Sequence, residues 1–205
     1  MTRARAVVFD LGKVLLEFDY HIAARALAEN GNRSADDIFK VLLGTPLLLR
    51  YERGLLTSQE FYSQFCAVTG YARPLEHFEE AFGAIFSPIN SMIQLHAEVR
   101  QAGYPTFIFS NTNELAIRHI RKTYPFFANF DGYILSYEHG WMKPDPKLYE
   151  VVEAQCQRRG AEVLYIDDRA ENIDAARERG WQTILHESPS ATRALVEQTL
   201  GLPQS

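Results

Sequence analysis

The sequence has only two cysteines, Cys66 and Cys156, among its 205 residues. Two thiols cannot form the network of disulfides that holds small secreted folds together, so we expect both to be reduced core residues of a cytoplasmic protein. An excess of basic residues is also missing, because 21 Lys and Arg face 26 Asp and Glu, for a formal net charge of −5. Proteins that follow the phosphates of nucleic acids usually carry a basic excess, so this composition argues against that class.

Long apolar segments are absent as well. No uncharged apolar run approaches the roughly 18 residues that a membrane-spanning helix requires, so we expect no membrane association. Arg3 and Arg5 precede an apolar stretch, as in a secretory leader, but Asp10 and Lys13 interrupt that stretch, and the sequence predicts no cleaved leader.

Short apolar strands and helices alternate over most of the chain. A first strand is predicted over Arg5 to Phe9, and after residue 90 four more strand segments follow, each separated from the next by a helical segment. This alternation predicts an α/β fold in which a doubly wound, Rossmann-like parallel sheet has helices on both faces.

A block of helices interrupts this alternation. Between residues 20 and 86 the apolar spacing and the capping residues predict four helices and no convincing strand. The predicted helices are Tyr20 to Asn30, Ser34 to Leu43, Thr57 to Val68 and Pro74 to Phe86. We therefore expect an α/β core domain made of residues 1–19 and 87–205, with residues 20–86 inserted as a helical cap, or lid, domain.

Polar residues follow three of the predicted strands, at the edge where ligands bind in an open parallel sheet. They are Asp10-Leu11-Gly12, Ser110-Asn111-Thr112 and Asp167-Asp168. Clustered carboxylates repel one another unless a cation neutralises them. Capping of the following loop would account for any one of these acids, but the whole set predicts an oxygen-ligand site for a hard divalent cation, Mg²⁺.

Groups that bind anions come to the same edge. Ser110 and Asn111 offer hydroxyl, amide and backbone N–H donors at a strand–helix junction, where free N–H groups suit an anion. Lys143 precedes a predicted helix and adds an ammonium, although a lone loop lysine is usually solvated. A carboxylate nucleophile, a cation, a hydroxyl and an ammonium together are typical of phosphoryl transfer, in which positioning and charge neutralisation dominate.

Four motifs of the chain together resemble the haloacid dehalogenase-like (HAD) hydrolase superfamily. They are Val7-Val8-Phe9-Asp10-Leu11-Gly12, Phe107-Ile108-Phe109-Ser110-Asn111, Lys143-Pro144-Asp145 and Tyr165-Ile166-Asp167-Asp168, in the order and spacing of that family. The helical insertion resembles the family's type 1 cap. The segment Tyr51-Glu52-Arg53-Gly54 resembles the corresponding segment of the subgroup that includes the α-D-glucose-1-phosphate phosphatases.

The resemblance implies a catalytic role for four residues. Asp10 matches the nucleophile that forms an aspartyl-phosphate, a recognised form of covalent catalysis. Ser110 matches the residue that binds the phosphoryl oxygens, and Lys143 matches the lysine that neutralises nucleophile and phosphate. Asp167 matches a residue that orients Lys143. The implied activity is that of a Mg²⁺-dependent phosphatase.

The resemblance also implies how Mg²⁺ is held. Asp10 and Asp168 match the two carboxylate ligands, and the backbone carbonyl of Gly12 can complete the set because that contact needs no side chain. Asn172 occupies a position at which many relatives have another acid.

Gly12 departs from the family pattern, in which a second aspartate usually follows two residues after the nucleophile as general acid and base. Loss of such a group typically costs 10²–10⁴-fold in rate, roughly 3–5 kcal/mol. An anomeric hydroxyl leaves more readily than an ordinary alcohol, so the gap favours a sugar phosphate such as a hexose 1-phosphate. Glu17, Asp19 and His21 are candidates for a substitute acid, although each is more simply explained as a solvated or capping side chain.

The cap is expected to select the substrate, a small phosphorylated metabolite. Its candidate residues lie in the segment Arg50 to Arg53, which the sequence places between two cap helices. Arg50 and Arg53 are expected to bind phosphate or sugar hydroxyls, unless this segment is only an exposed charged turn. We expect the protein to act as a monomer or homodimer.

Two other functions fit part of the pattern. A 2-haloacid dehalogenase uses the same nucleophile without a metal, but dehalogenases of this family lack a cation ligand like Asp168 and carry an aromatic residue where Gly12 stands. A catalytically silent regulatory protein that binds phosphometabolites would keep the fold without turnover, and Gly12 is the feature that favours it.

Overall fold

A parallel sheet forms the centre of the protein, whose computed structural model describes residues 3–29 and 32–203. The strands of these residues are β1 (Ala6–Phe9), β2 (Leu16–Phe18), β3 (Phe86–Pro88), β4 (Thr106–Ser110), β5 (Gly132–Leu135), β6 (Val163–Asp167) and β7 (Gln182–Leu185). Five of them make the parallel sheet in the order β5-β4-β1-β6-β7, while β2 and β3 pair antiparallel as a separate two-stranded ribbon. The predicted α/β, Rossmann-like fold class is confirmed.

Helices follow or separate these strands. They are α1 (Tyr20–Ala28), α2 (Ala35–Leu43), α3 (Pro46–Glu52), α4 (Ser58–Thr69), α5 (Leu75–Gly83), α6 (Asn90–Gln101), α7 (Glu114–Thr123), α8 (Ser136–His139), α9 (Pro146–Cys156), α10 (Ala170–Glu178) and α11 (Pro189–Leu200). Within the residues described, none of these helices has the length and apolar character needed to cross a membrane.

The central strand β1 buries both of its faces. Val7 and Phe9 belong to the hydrophobic cluster on one side of the sheet, and Ala6 and Val8 belong to the cluster on the other side. This division follows from the two-residue period of a strand. A continuous apolar run such as β1 is typical of parallel strands that helices cover on both sides, so the run that marked β1 in the sequence also accounts for its central place.

The cap residues form a hydrophobic cluster of their own. Helices α1 to α5 lie between β2 and β3, and Phe61, Phe65, Phe78 and Phe82 are fully buried among them. Phe78 packs against Phe61 and Phe82 with ring centroids 5.7 and 5.5 Å apart. The division into residues 1–19 with 87–205 and residues 20–86 stays a prediction, which this separate cluster supports.

The four predicted cap helices correspond to α1, α2, α4 and α5. Helix α4 begins with a capping box, because Thr57 N–H donates to Glu60 Oε2 (2.8 Å) and Glu60 N–H donates to Thr57 Oγ1 (3.2 Å). The prediction that α1 extends to Asn30 falls on a residue outside those described, and α1 itself ends at Ala28.

Two features of the cap were predicted wrongly. Helix α3 was missed, so Arg50 and Glu52 lie in its last turn rather than between two helices, and Arg53 is its C-cap. Three consecutive leucines hide the helical period of this seven-residue segment. Phe86 was assigned to a helix but begins β3, which is held by pairing with β2, a partner distant in sequence that local periodicity cannot reveal.

The buried His96 packs against Phe9 of β1 with ring centroids 5.6 Å apart, and it makes the stability of the fold depend on pH. The ring of His96 stacks on Phe130 with centroids 3.8 Å apart, and its Nε2 lies 3.0 Å from Thr106 Oγ1. Burial, with a contribution from Arg100, lowers the pKa of His96 from 6.5 to about 4. The folded state therefore disfavours protonated His96, and this contribution to stability is complete above about pH 6.5 and falls as the pH drops toward 4.

We predict that His96→Phe flattens this part of the pH dependence. Between pH 7 and pH 4 the free energy of unfolding of the wild type should fall by up to about 3 kcal/mol more than that of the variant. Urea unfolding at a series of pH values measures both. Parallel pH curves for the two proteins would contradict the assignment.

Candidate functional site

The carboxyl ends of three neighbouring strands bring the predicted site residues together. Asp10 directly follows β1, while Ser110 and Asp167 are the last residues of β4 and β6. Because β1 lies between β4 and β6 in the sheet, these ends meet at one edge. They border a cavity of about 190 Å³, called the inner cavity below. Its lining includes Asp10, Gly12, Lys13, Phe18, Glu52, Ser110, Asn111, Lys143, Asp168 and Arg169.

A buried ammonium joins two of the carboxylates. Lys143 Nζ lies 2.9 Å from Asp10 Oδ1 and 2.6 Å from Asp167 Oδ2, and it donates to the carbonyl of Phe109 (2.9 Å). Burial disfavours the charged form of Lys143, but Asp10 and Asp167 outweigh burial and raise its pKa. Lys143 therefore stays charged and uses all three of its N–H donors.

Asp167 is fully buried and its oxygens are fully used. It accepts hydrogen bonds from Lys143, from the Tyr165 hydroxyl, from Asn172 Nδ2 (3.0 and 3.1 Å) and from the N–H of Arg169 (2.8 Å). Burial alone would raise the pKa of Asp167, but Lys143 and these donors hold it below its usual range. Asp167 is thus built to hold Lys143 in place.

Asp10 keeps one oxygen for other chemistry. Its Oδ1 accepts from the N–H of Leu11 (2.7 Å) and faces Lys143, whereas no hydrogen bond reaches Oδ2 from the residues described. Burial raises the pKa of Asp10 to about 7, although Lys143 opposes that shift. A cation beside Asp10 would favour its charged form.

The third carboxylate, Asp168, has no side-chain partner among the residues described. It is half-buried, and within residues 3–29 and 32–203 no other residue forms a hydrogen bond or ion pair with its side chain. Burial and the nearby Asp167 raise its pKa. Asp10, Asp167 and Asp168 each offer an oxygen, all within 4.8 Å of one another. Since Asp167 is already satisfied, Asp10 and Asp168, with the carbonyl of Gly12 at the same cavity, are an all-oxygen donor set that fits Mg²⁺.

The side chain of Asn111 fastens the loop of Lys143. Its Oδ1 accepts from the N–H of Lys143 (2.7 Å), and its Nδ2 donates to the carbonyl of Lys143 (3.0 Å). The amide expected to bind substrate is therefore used within the protein. Within the described part of the chain, the one contact of the buried Ser110 hydroxyl is a long one of 3.4 Å to the carbonyl of Asn111, so the hydroxyl is available to a ligand.

The two cap arginines lie in different places. Arg53 borders an open cavity of about 520 Å³ outside the inner one, together with Lys143 and Arg169. Arg50 is exposed and donates to Gln64 Oε1 (3.1 Å) on α4. The structure thus places Arg53 at the entrance to the site and Arg50 away from it.

None of the three candidates for a substitute acid borders the inner cavity. Glu17 pairs with Lys13 (2.5 Å), Asp19 caps α1 by accepting from the N–H of His21 (2.8 Å), and the ring of His21 stacks on Phe39. All three have the capping or surface roles that were the simpler interpretation.

Glu52 of α3 lies at the cavity instead. Its carboxylate forms no hydrogen bond or ion pair with any described residue, and burial raises its pKa to about 7. The sequence drew attention to the segment that contains Glu52, but only recognition of α3 and its docking would have shown which side chain of that segment faces the strand ends.

Two contacts hold the end of α3 over the sheet. The Tyr51 hydroxyl accepts from the N–H of Leu115 at the start of α7 (3.0 Å). The Ser136 hydroxyl donates to the carbonyl of Glu52 (2.6 Å) and accepts from the N–H of Thr112 (2.9 Å). The cap is therefore joined to the core by one cap side chain that binds a core backbone N–H and by one core side chain that binds a cap carbonyl.

A second cavity of about 90 Å³ adjoins the inner one and is called the side cavity below. The two share Gly12, Phe18, Glu52, Ser110 and Asn111. The remaining lining of the side cavity is mostly apolar: Leu11, Tyr20, Phe86, Thr112, Asn113, Ala116 and Ile120. A ligand can thus place a charged group in the inner cavity and a less polar group in the side cavity.

A family model and two curated proteins are similar to this chain. A family model described as haloacid dehalogenase-like hydrolase matches residues 4–180. The D-ribitol-5-phosphate phosphatase of Bacteroides thetaiotaomicron is 24% identical over 188 residues, which cover 89% of this chain and 91% of that protein. A sesquiterpene phosphatase of Aspergillus oryzae is 24% identical over 202 residues, 98% of each chain.

Solved structures share the fold. A HAD family enzyme of Bacteroides thetaiotaomicron, in complex with magnesium and inorganic phosphate, has a TM-score of 0.80 at 24% identity, over 92% of this chain and 98% of that one. The L-2-haloacid dehalogenase of Xanthobacter autotrophicus has a TM-score of 0.64 at 22% identity, over 96% of this chain and 84% of that one.

We predict that Mg²⁺ binds at this cluster and stabilises the protein, because the cation offsets repulsion between Asp10 and Asp168. Isothermal titration should show Asp168→Asn weakening Mg²⁺ binding by roughly tenfold or more. Asp36→Asn, which removes an exposed carboxylate from the first turn of α2, is the matched control and should bind Mg²⁺ like the wild type. Equal affinity in all three proteins would place the cation elsewhere.

Proposed function

This chain belongs to the haloacid dehalogenase-like hydrolases, and from that premise we propose that it hydrolyses small phosphomonoesters through a phosphorylated Asp10. It is a phosphoric monoester hydrolase, and its cofactor is Mg²⁺. The observation that carries the proposal is the buried Asp10, 2.9 Å from Lys143 and beside the unpaired Asp168. Two positive charges can thus neutralise the oxygens of a phosphate ester. One is the ammonium of Lys143, and the other is a metal ion held by Asp10 and Asp168.

In the first step Asp10 acts as nucleophile. Its carboxylate attacks phosphorus, the bond between phosphorus and the leaving oxygen breaks, and an aspartyl-phosphate forms. Ser110 donates its hydroxyl to a phosphoryl oxygen, and Lys143 neutralises the nucleophile and the phosphate while Asp167 holds it in position. Mg²⁺, when bound by Asp10, Asp168 and the Gly12 carbonyl, supplies further charge neutralisation at the phosphoryl oxygens.

In the second step water attacks the phosphorus of the aspartyl-phosphate. Phosphate is released and the Asp10 carboxylate is restored. Lys143 and Ser110 keep the phosphoryl group in place through both steps, so the protein side chains need not rearrange between them.

The substrate we propose is a sugar phosphate such as a hexose 1-phosphate, as in the resembling α-D-glucose-1-phosphate phosphatase subgroup. The absence of a carboxyl at position 12 favours an easily departing anomeric oxygen. A Cβ at Gly12 would lie 2.8 Å from Phe18 Cε1, so a side chain there requires Phe18 to move. Two relatives, one named a D-ribitol-5-phosphate phosphatase and the other a sesquiterpene phosphatase, support a small phosphomonoester more broadly.

The alternatives have less support. A metal-free 2-haloacid dehalogenase has no use for the unpaired Asp168 beside Asp10, and the likeness to solved dehalogenases is one of fold. A silent regulatory protein would bind sugar phosphates in the same cavity, and only turnover distinguishes it from the enzyme. The cytoplasmic location and the monomeric or homodimeric state stay predictions.

We predict that Asp10→Asn abolishes phosphate release. With Mg²⁺ present, the wild type should release phosphate from a panel of hexose phosphates, and EDTA should stop it. The variant should lose on the order of 10³-fold or more in kcat, because the amide is no nucleophile. Asp174→Asn, at an exposed carboxylate of α10, is the control.

Each alternative has its own signature in the same assays. Unchanged turnover by Asp10→Asn would remove this residue from its role. Halide release from a chloroacid without metal would favour the dehalogenase. Tight binding of a sugar phosphate with no phosphate released would favour the silent protein.

The cap arginines provide a matched pair for substrate binding. Arg53→Ala should raise KM for a hexose phosphate by roughly tenfold, the worth of one charged contact at the entrance. Arg50→Ala removes the same charge from a guanidinium bound to Gln64, and KM should stay within about twofold. Steady-state kinetics with Mg²⁺ measures both, and equal effects would show that overall charge, not a contact, is responsible.

A further inference from the structure

We propose that Glu52 is a catalytic residue, which donates a proton to the leaving oxygen and later takes one from water, in place of the carboxyl that position 12 lacks. This inference rests on the proposed function and extends it, since an acid in the cap widens the substrate class to phosphates of ordinary alcohols. Such alcohols leave slowly as unprotonated alkoxides.

Glu52 lies where the inner cavity and the side cavity meet. Asp10 and Lys143 border the inner cavity and not the side cavity, so the phosphoryl group belongs in the inner one. The side cavity, with its more apolar lining, is left for the alcohol. Glu52 borders both cavities. The oxygen that joins phosphorus to the alcohol must lie where the two cavities meet, which is next to Glu52.

Glu52 is also held in place. The Ser136 hydroxyl binds its carbonyl at 2.6 Å, and the neighbouring Tyr51 hydroxyl accepts from the N–H of Leu115 at 3.0 Å. Gly54, just beyond α3, has a φ of 68°, and a Cβ there would collide with the carbonyl oxygen of Tyr137. The chain around Glu52 therefore lies directly against the core.

The carboxyl of Glu52 is free to exchange protons. The charged and titratable groups that border the cavities with it are Asp10, Lys13, Tyr20, Lys143, Asp168 and Arg169. The cations among them already have carboxylate partners: Lys13 pairs with Glu17, Lys143 with Asp10 and Asp167, and Arg169 with Glu171. Within the described part of the chain Glu52 has no such partner, and its pKa, raised by burial to about 7, suits a group that gives and takes protons near neutral pH.

The proposed steps balance. As Asp10 forms its bond to phosphorus, the electron pair of the breaking bond stays on the leaving oxygen, which takes the proton of Glu52 and departs as an alcohol. The Glu52 carboxylate then takes a proton from the water that attacks phosphorus, and the bond to Asp10 breaks. Inorganic phosphate leaves, and Glu52 is protonated again.

The test compares two leaving groups in the full-length protein with Mg²⁺. p-Nitrophenolate departs without a proton, whereas the alcohol of glycerol 2-phosphate needs one. For Glu52→Gln we expect kcat with glycerol 2-phosphate to fall by roughly 10²–10⁴-fold, with KM little changed. With p-nitrophenyl phosphate the same variant should still release a rapid burst of about one nitrophenolate per site, followed by slow turnover, as phosphorylated Asp10 accumulates. Glu52→Asp should recover part of the lost rate.

Controls separate this role from a structural one. Glu80→Gln removes an exposed carboxylate from α5 and should match the wild type with both substrates. Loss of the nitrophenolate burst in Glu52→Gln would show that the change disrupts the whole site, and the proposal would be overturned. It would be overturned equally if Glu52→Gln hydrolyses glycerol 2-phosphate as fast as Glu80→Gln. A wild type that neither shows a burst nor releases phosphate from any ester refutes the proposed function, and this inference with it.

Discussion

The rest of the site depends on the ion pairs that the buried Lys143 forms with Asp10 and Asp167. Removing a charge from water is costly, and a buried ion pair is stable only when its remaining donors and acceptors are satisfied. Here the third donor of Lys143 reaches the carbonyl of Phe109, and Asn111 holds the lysine backbone from both sides. The network ties the ends of β1, β4 and β6 into one rigid edge.

The same network is incomplete in a way that suits its chemistry. Three carboxylates, Asp10, Asp167 and Asp168, offer oxygens that lie within 4.8 Å of one another, and Lys143 pairs with the first two. Asp167 uses both of its oxygens within the protein, whereas among the described residues one oxygen of Asp10 and the carboxylate of Asp168 accept no hydrogen bond from another residue. A divalent cation and a phosphate can then enter together, because each neutralises charge that the other leaves exposed.

The cap adds what the core lacks. A glycine at position 12 leaves no acid beside the nucleophile, and the side chain that approaches the same place from the cap is Glu52. The Glu52 carbonyl accepts a hydrogen bond from Ser136 of the core, so the contact that docks α3 also places Glu52 at the site.

Much of this protein was predictable from short-range patterns. Buried strands are recognisable as apolar runs, and neighbouring parallel strands end at one edge of their sheet. These two rules were enough to place Asp10, Ser110, Asp167 and Asp168 together from the sequence. Capping residues marked α2 and α4 because a cap is satisfied by backbone groups three residues away.

Contacts between distant segments were decided by the tertiary structure alone. Helix α3 is short, its leucines show no period, and its end is fixed by Leu115 and Ser136, which lie far along the chain. For the same reason the sequence could not show that Asn111 binds the backbone of Lys143 or that Arg50 binds Gln64. Nor could it show that Glu52 borders the cavity. Residue types and local spacing determine which elements form and what chemistry they can carry, but which side chain faces which depends on how the elements pack, and packing is set by all of them together.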